Sequence, residues 1–416
     1  MRAAIPKRRR GITSDAAKDP ELRRWALVIG AGFLATTLPQ AELLDLPFRR
    51  LLERELGASQ QDMALFFLIA VSPWNFKPIA GLLCDAVPLF GTRRRSYVIL
   101  SAALAGLGWL GLSLVPHSFA AMAALLFAIN LMLVLASAAL GGLLAELAQR
   151  SPSYARLVSV RAFVESICLA ISGTLSGWLA GLPFGIATIA GGLISLTVAP
   201  IAWVWLREER KAIYSRDAFR AAAAGLRSFV TSGVVWGAVA VVFISSASQT
   251  FTTPLFFLQS KTLGFAVETI GYLNSVTGLA SIAAPLLYIM LQGRLPPRTL
   301  LALTIVGASV GVTAFCFYGS VPQAIAVHAV YGFLNTMLSV AVLDLAARMA
   351  PPAAAATGFS VMVAAWNVGG SVGDNIAAAL IERFGFRFES MVLIFAGIGL
   401  LALALTLLLP KEEKAS

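Results

Sequence analysis

Apolar residues occur in long blocks along this chain, and short polar or turn-forming stretches separate the blocks. A helix of about 20 apolar residues spans the hydrocarbon core of a bilayer, and twelve of these blocks are long enough to do so. Proline and glycine mark several of the breaks, as at Pro116 and Pro183. The pattern predicts an all-α membrane protein with twelve transmembrane helices, at 25–44, 60–84, 95–115, 118–146, 156–181, 184–206, 229–258, 266–291, 298–318, 320–349, 353–381 and 388–409.

One long polar stretch, from Arg207 to Arg227, divides the twelve blocks into six and six. This division predicts two six-helix bundles joined by a linker. The predicted parts are a basic tail (1–24), an N-terminal bundle (25–206), a linker (207–228), a C-terminal bundle (229–409) and a short tail (410–416).

Similar features recur at corresponding places in the two halves. The fourth span ends with Glu146 and Arg150, and the tenth ends with Asp344 and Arg348, at the same spacing. Small residues that let helices approach closely recur every four positions in the next span of each half. A parallel repeat of this kind resembles the layout of major facilitator transporters. These small residues are Gly173, Gly177 and Gly181 in the fifth span, and Gly369 and Gly373 in the eleventh.

Composition and charge support a membrane protein rather than a nucleic-acid-binding one. The chain is 58% hydrophobic and 13% charged, whereas soluble domains carry about 25% charged residues. If both termini lie in the cytosol, 24 of the 32 lysines and arginines face the cytosol, six face the opposite side, and two (Lys77 and Arg161) lie within spans. This distribution predicts the orientation, and it explains most of the net charge of +11 without nucleic acid.

No pattern typical of an enzyme, a cofactor site or a metal site occurs. Two GxSxG matches, 307–311 and 369–373, lie inside apolar helices, whereas a nucleophile elbow needs a strand, a turn and a helix. Cys84, Cys168 and Cys316 each lie in or beside an apolar run, without the spacing of metal ligands. We therefore expect neither catalysis nor a cofactor, and any transport would draw on a gradient.

Lys77 lies within the second predicted span, between Pro73 and Pro78. A charge at mid-membrane costs about 2.5–3.5 kcal/mol on insertion scales, and each proline removes a helix hydrogen bond. Irregular backbone at this depth faces protein or a water-filled cavity. We interpret Lys77 as a cationic site for an anionic substrate or as part of a gate; the alternative is a lysine that snorkels to the interface. The predicted substrate path is Lys77, Trp74, Asn75, Gln249, Asn274, Asn335, Trp366 and Asn367.

Charged residues near the cytosolic helix ends predict a gating network. Asp85 is expected to accept hydrogen bonds from the start of the eleventh span, near 357–358. Arg161 and Glu165 lie one helical turn apart, so they form either a self-neutralising pair or a relay with Glu146 and Arg150. The arginines after Asp85 could also be topology signals alone. The predicted network is Asp85, Arg93, Arg94, Arg95, Glu146, Arg150, Arg161, Glu165, Asp344 and Arg348.

Three titratable residues in or beside the spans are candidates for proton coupling: Asp374, Glu42 and His328. Ionisable groups inside membranes mark ion and proton pathways. Asp374 could instead be solvated at the interface, and His328 could be a hydrogen-bonded structural residue.

One stretch carries a specific family resemblance. Pro73, Trp74, Lys77, Pro78 and Gly81 are followed by Asp85, Pro88, Gly91, Arg93, Arg94, Arg95 and Tyr97. This spacing resembles the signature of the folate-biopterin transporter family, a branch of the major facilitator superfamily. The resemblance implies a carrier for pteridines, coupled to protons, in which Lys77, Asp85 and Arg93–Arg95 matter. The chain departs from the family at Ser137 and Gly141, where members often carry acids, and this weakens the substrate assignment.

Together these patterns predict a secondary active transporter of a small organic solute, working by alternating access and proton symport. We expect a monomeric integral protein of a bacterial inner membrane. One alternative is a permease on the same fold for a siderophore, a muropeptide or another organic anion. Another is a transporter-like assembly or receptor protein that moves no solute.

Overall fold

The computed structural model describes residues 20–39, 43–150, 156–208, 233–292, 294–349 and 355–406, together with positions 220, 224 and 231. These ranges are almost wholly helical. A single isolated β-bridge, between Leu89 and Thr92, occurs within them.

The N-terminal half contains α1 to α9. The second predicted span is a continuous helical segment in which a 3₁₀ turn (Ser72–Phe76) joins two helices. Pro73 lies in the turn and Pro78 in the first turn of the second helix, and neither supplies an N–H. The helices are α1 (Pro20–Thr37), α2 (Asp45–Arg54), α3 (Gln60–Val71), α4 (Lys77–Ala86), α5 (Arg95–Gly111), α6 (Phe119–Arg150), α7 (Arg156–Gly181), α8 (Phe184–Leu196) and α9 (Val198–Trp205).

The C-terminal half contains α10 to α17. Its first predicted span is interrupted at 248–251, and a π turn (Leu258–Thr262) follows the short helix after the break. A 3₁₀ turn (Ala314–Phe317) follows α14. The helices are α10 (Gly233–Ala247), α11 (Thr252–Phe257), α12 (Val267–Ser281), α13 (Ala283–Gln292), α14 (Pro297–Thr313), α15 (Val321–Met349), α16 (Ala355–Glu382) and α17 (Phe388–Leu405).

Nine helical segments within the described ranges are long and apolar enough to cross a membrane. The helices in the three other predicted spans (α1, α5 and α16) are shorter or more polar. The membrane class is confirmed, while the count of twelve crossings stays a prediction. The nine segments are Gln60–Cys84, Phe119–Leu144, Phe163–Gly181, Phe184–Trp205, Val235–Thr262, Val267–Gln292, Pro297–Phe317, Val321–Ala346 and Phe388–Leu405.

The glycines of α7 bring the two halves together. A Cβ at Gly173 would overlap the backbone of Gly271 and Ser275 on α12. The close approach lets the Thr174 backbone N–H and hydroxyl both donate to Ser275 Oγ, at 2.8 and 2.9 Å. Small residues on both helices therefore let the two halves pack backbone against backbone.

The glycines of α16 serve the same purpose within the C-terminal half. A Cβ at Gly369 would overlap the carbonyl oxygen of Phe243 on α10, and one at Gly373 would overlap that of Ala247. The predicted close approach of the glycine-rich spans is thus observed in both helices.

Replacing Gly369 with alanine is expected to lower the melting temperature of the purified protein. The added Cβ would overlap helix backbone, which cannot turn away, and overpacking of this kind costs about 1–3 kcal/mol. Gly397→Ala is the matched control, because a Cβ there would meet no atom within 4 Å. Equal melting temperatures for the two variants in the same detergent would contradict this packing.

Candidate functional site

A cavity of about 500 Å³ lies between the two halves. This volume is in the range of pockets that hold small organic ligands. Its charged lining residues are Asp45, Arg49 and Asp374. Five amide side chains also line it: Asn130, Gln249, Asn274, Asn335 and Asn375.

Arg49 crosses from one half to the other at one end of this cavity. It lies on α2, is only 6% exposed, and donates to Asp45 Oδ2 at 2.8 Å. It also donates to the hydroxyls of Thr253 and Thr252 in the other half, at 3.1 and 3.4 Å. A guanidinium has several donors in a fixed fork, so one side chain can contact both halves.

Asp374 of α16 binds the same two threonines that Arg49 contacts. Its carboxylate is 6% exposed and accepts hydrogen bonds from the Thr253 backbone N–H at 2.8 Å and the Thr253 hydroxyl at 2.6 Å. The Thr252 hydroxyl donates to it at 3.1 Å. These threonines begin α11 after the break, so their backbone N–H groups need an acceptor outside the helix. We call Asp45, Arg49, Thr252, Thr253 and Asp374 the interhalf cluster.

The electrostatics of the cluster keep Arg49 charged. Burial alone would lower the pKa of Arg49, but the nearby carboxylates of Asp45 and Asp374 and the hydrogen bond to Asp45 outweigh it. The net effect raises the Arg49 pKa above its ordinary value. Arg49 and α2 lie outside the twelve predicted spans.

Further contacts between the halves surround the interhalf cluster. The Gln61 backbone N–H donates to Glu382 Oε2 at 2.7 Å, and the Ser260 hydroxyl donates to Glu53 Oε1 at 3.0 Å. The Asn375 side chain donates to the Ala64 carbonyl at 3.1 Å. The halves are thus joined at this end of the bundle, which we call the α2 end.

His328 lines the cavity from α15 and is 3% exposed. Its Nδ1 lies 2.7 Å from the Thr277 hydroxyl, and its Nε2 lies 2.9 Å from the Tyr318 hydroxyl. Gln259 donates to the same Tyr318 oxygen. Both ring nitrogens therefore have partners, and a coupling role for His328 stays a prediction.

The predicted substrate path divides between the cavity and its surroundings. Gln249, Asn274 and Asn335 line the cavity. Trp74 is not a lining residue, but its Nε1 donates at 2.9 Å to Oδ1 of Asn130, which lines the cavity. The other residues of the path, Lys77, Asn75, Trp366 and Asn367, are not among the lining residues.

Lys77 belongs to a charged group beside the cavity. Its Nζ lies 5.2 Å from the centroid of the Trp74 ring, and it interacts electrostatically with Arg161 and Glu165 of α7. Arg161 pairs with Glu165 at 2.9 Å. Leu169, one turn after Glu165 on α7, lines the cavity. Glu165 and Arg161 therefore lie about 6 Å or more from Leu169 along the axis of α7. We call Lys77, Arg161 and Glu165 the Lys77 cluster; it carries two positive charges and one negative charge.

Arg94 makes a buried contact within the predicted gating network. It is 6% exposed, and its Nη2 and Nε donate to Glu146 Oε1 at 2.8 and 3.2 Å. Gly142 on α6 leaves space for the guanidinium, since a Cβ there would overlap it. Arg95 donates to the Trp203 carbonyl at 2.9 Å. We call this side of the bundle the Arg94 end.

Glu208 is a residue of this region that the sequence did not single out. Its carboxylate accepts the backbone N–H groups of Arg93, Arg94 and Arg95, at 2.6, 3.0 and 2.9 Å. These N–H groups lie at the N-terminal end of α5, where no preceding helical turn supplies a carbonyl acceptor. Its sequence signal is an acid beside Arg207, at the start of the predicted linker.

A tight turn positions the backbone N–H groups of Arg93–Arg95 next to Glu208. Leu89 and Thr92 exchange two backbone hydrogen bonds of 3.0 Å around Phe90 and Gly91. Both turn residues have positive φ, 51° for Phe90 and 77° for Gly91. This conformation explains why the signature has glycine at position 91.

Several predicted residues have a limited description. Glu42 and the side chains of Asp85, Arg150 and Arg348 lie outside what the structure describes, as do the side chains at 357–358. The expected contact of Asp85 with that region stays a prediction. Asp344 accepts hydrogen bonds from Tyr288 at 3.0 Å and Gln292 at 3.1 Å, both on α13.

Comparison with known proteins identifies the family. Residues 40–416 match the model of the BT1 family. The chain belongs to the BT1 family. A relative named "Folate-biopterin transporter", from Synechocystis sp. (strain ATCC 27184 / PCC 6803 / Kazusa), is 26% identical over 373 residues, covering 82% of this chain and 73% of the relative. "Folate transporter 2" of Plasmodium falciparum (isolate 3D7) is 21% identical over 370 residues, covering 84% and 81%.

Solved structures of other transporters share the fold. The nucleoside transporter NupG superposes with a TM-score of 0.72 at 12% identity, over 95% of this chain and 100% of that one. A D-xylose–proton symporter gives 0.66 at 17% identity, over 94% and 98%. The resemblance to folate-biopterin transporters is therefore confirmed, and this BT1 member is an integral membrane protein of a transporter family with a major facilitator-like fold.

Replacing Glu208 with alanine is expected to lower the melting temperature, because three backbone N–H groups lose their acceptor. Leaving buried donors unsatisfied costs about 1–3 kcal/mol. Glu208→Gln keeps one acceptor oxygen and should lose less. Glu389→Ala removes an exposed pair with Arg387 and is the control, because such pairs contribute little. A Glu208→Ala protein as stable as the Glu389→Ala protein would contradict the role assigned to Glu208.

Proposed function

We propose that this protein is a secondary active transporter that moves a pteridine, such as folate or biopterin, by alternating access coupled to protons. The observation that carries the proposal is the cavity between the halves, bounded at the α2 end by the interhalf cluster. The names of the two relatives support the substrate class. The fold shared with solved transporters supports the mechanism.

The proposed topology has twelve crossings with both termini in the cytosol. The excess of basic residues on one side supports this orientation. It makes the Arg94 end cytosolic and the α2 end external, so that the state described here is closed to the outside. We further propose a monomer in a bacterial inner membrane, with bundles at 25–206 and 229–409 joined by a cytosolic linker.

The proposed substrate lies with its ring in the cavity and any acidic tail toward the Lys77 cluster. Amide side chains in the cavity suit a neutral, hydrogen-bonding heterocycle. The Lys77 cluster carries one net positive charge, which favours a carboxylate nearby in a region of low dielectric. This arrangement gives Lys77 the electrostatic role that its position between two prolines indicated.

Asp374 is the proposed proton-coupling residue. Protonation would remove its negative charge, weaken its attraction for Arg49 and replace an acceptor oxygen by a donor. The hydrogen bonds from Arg49 to Thr252 and Thr253 would then hold the cluster across the halves with less electrostatic support, so the halves could separate more easily at the α2 end. Asp45 would remain to pair with Arg49 in its own half. Glu42 and His328 are the other candidates.

A permease for a different organic solute is the second candidate. The observation that favours it is the fourth span, where Ser137 is buried in α6 and Gly141 has no neighbouring atom within 4 Å of a Cβ position. Neither residue can supply the acids that the family resemblance implies at these places.

Uptake by proteoliposomes tests the proposal. Vesicles holding the purified protein should accumulate labelled folate or biopterin when the outside is made acidic, and should exchange it without a gradient. Asp374→Asn should abolish gradient-driven accumulation while exchange persists, because an amide cannot carry a proton between the two sides.

Asp62→Asn is the matched control, since Asp62 is exposed and accepts, within the described residues, only the Ser59 backbone N–H in the capping box of α3, which an asparagine oxygen can also accept. Uptake of neither compound by the wild-type protein would overturn the pteridine assignment. Gradient-driven accumulation by Asp374→Asn at the control level would overturn the coupling role.

A further inference from the structure

The last turn of α9 and the first turn of α5 form an exposed surface at the Arg94 end. Trp203 and Trp205 are 62% and 39% exposed, and Val204 between them is 55% exposed. Arg95 donates from Nη2 to the Trp203 carbonyl at 2.9 Å, and its guanidinium carbon lies 5.2 Å from the centroid of the Trp203 ring. We call Arg95, Trp203, Val204 and Trp205 the α5–α9 surface. Tryptophan is enriched where a membrane meets water, so this composition indicates contact with the headgroup region.

The exposed residues of α5 change from polar to apolar at this surface. Arg93 and Arg95, at the start of the helix, are both partly exposed. Leu100, Leu104 and Leu107 are 43%, 44% and 57% exposed, and their spacing places them in one stripe along the helix. An exposed leucine stripe on a membrane-spanning helix suits the acyl chains of lipids. The arginines before it therefore lie at the level of the headgroups.

Positive charge exceeds negative charge around the α5–α9 surface. Arg93, Arg95 and Arg207 are all at least partly exposed. Glu208, the neighbour of Arg207 in the chain, supplies one carboxylate beside them. These four described residues carry a net charge of about +2, and basic residues next to a membrane attract anionic lipids.

The side chain of Arg95, rather than the start of the helix, is available to an anionic group. Glu208 already accepts the backbone N–H groups of Arg93, Arg94 and Arg95. Within the described residues, the Trp203 carbonyl is the one hydrogen-bond partner of the Arg95 side chain. A guanidinium has five N–H groups. Arg95 can therefore keep its bond to the carbonyl and still donate to a phosphate.

We propose that the α5–α9 surface binds the headgroup of an anionic phospholipid, with Arg95 donating to the phosphate. The acyl chains of the same lipid lie along the leucine stripe of α5. The Trp203 carbonyl and ring hold the guanidinium in place, so it needs little reorganisation on binding. In the proposed topology this lipid belongs to the cytosolic leaflet. The inference does not depend on which solute is transported.

Native mass spectrometry of the purified full-length protein tests the proposal. The ligands are phosphatidylglycerol and phosphatidylcholine with the same acyl chains. The wild-type protein should bind its first phosphatidylglycerol about fivefold more tightly, or better, because one basic residue at an anionic surface accounts for about fivefold in affinity. Arg95→Gln should lower this preference about fivefold. Arg95→Lys keeps the positive charge and should keep most of the preference.

Arg294→Gln is the matched control, because Arg294 is an exposed arginine between α13 and α14 in the other half. Its preference should equal that of the wild-type protein. Unchanged phosphatidylcholine binding and a cooperative melting transition show that Arg95→Gln is folded. Equal wild-type affinity for the two lipids, or the same preference in Arg95→Gln and Arg294→Gln, would overturn the proposal. Displacement of phosphatidylglycerol by an equal concentration of glycerol 3-phosphate would overturn it as well, since the site would then bind a free phosphate.

Discussion

A buried guanidinium that contacts both halves is the interaction on which the α2 end depends. Arg49 is held by Asp45 in its own half and by Thr252 and Thr253 in the other, and Asp374 holds the same threonines. Separating the halves breaks the hydrogen bonds from Arg49 to the two threonines and takes Arg49 away from the carboxylate of Asp374. Asp45 stays paired with Arg49 in the N-terminal half, so the buried cation keeps a partner.

The charges at the opposite end are arranged differently. Arg94 pairs with Glu146, and Glu208 accepts the N–H groups that open α5, so these contacts lie within the N-terminal half. They fix the loop after α4 against α6 and the segment after α9. Contacts within one half at the Arg94 end and contacts between the halves at the α2 end are compatible with the proposed alternating access, in which one bundle moves against the other.

The helices and the family could be read from the sequence because both depend on local signals. Apolar blocks define the helices, and the signature from Pro73 to Tyr97 is contiguous. The roles of Gly173 and Gly369 followed from spacing, since a four-residue repeat of small residues places them on one helix face. Gln249, Asn274 and Asn335 stood out as polar residues in apolar helices, and all three line the cavity.

Arg49 and Glu208 could not be found this way, because their partners are distant in sequence. Arg49 lies in a stretch of mixed charge that reads as an exposed loop, but α2 packs against the bundle and buries it. The sequence also does not predict the direction of a side chain. Trp74 points to Asn130 and is not among the residues that line the cavity. Only the packing of α3 and α4 against α6 decides that orientation.

The proposed transport cycle requires the two halves to separate at the α2 end. The Gln61 backbone N–H and the Glu382 carboxylate lie in contact across that end, so a cysteine at each position, with the three native cysteines replaced, can be joined by a short thiol-specific crosslinker that reduction removes. Pteridine uptake should stop when the two are crosslinked and return on reduction, while each single-cysteine protein transports under both conditions. Undiminished uptake by the fully crosslinked protein would contradict the account.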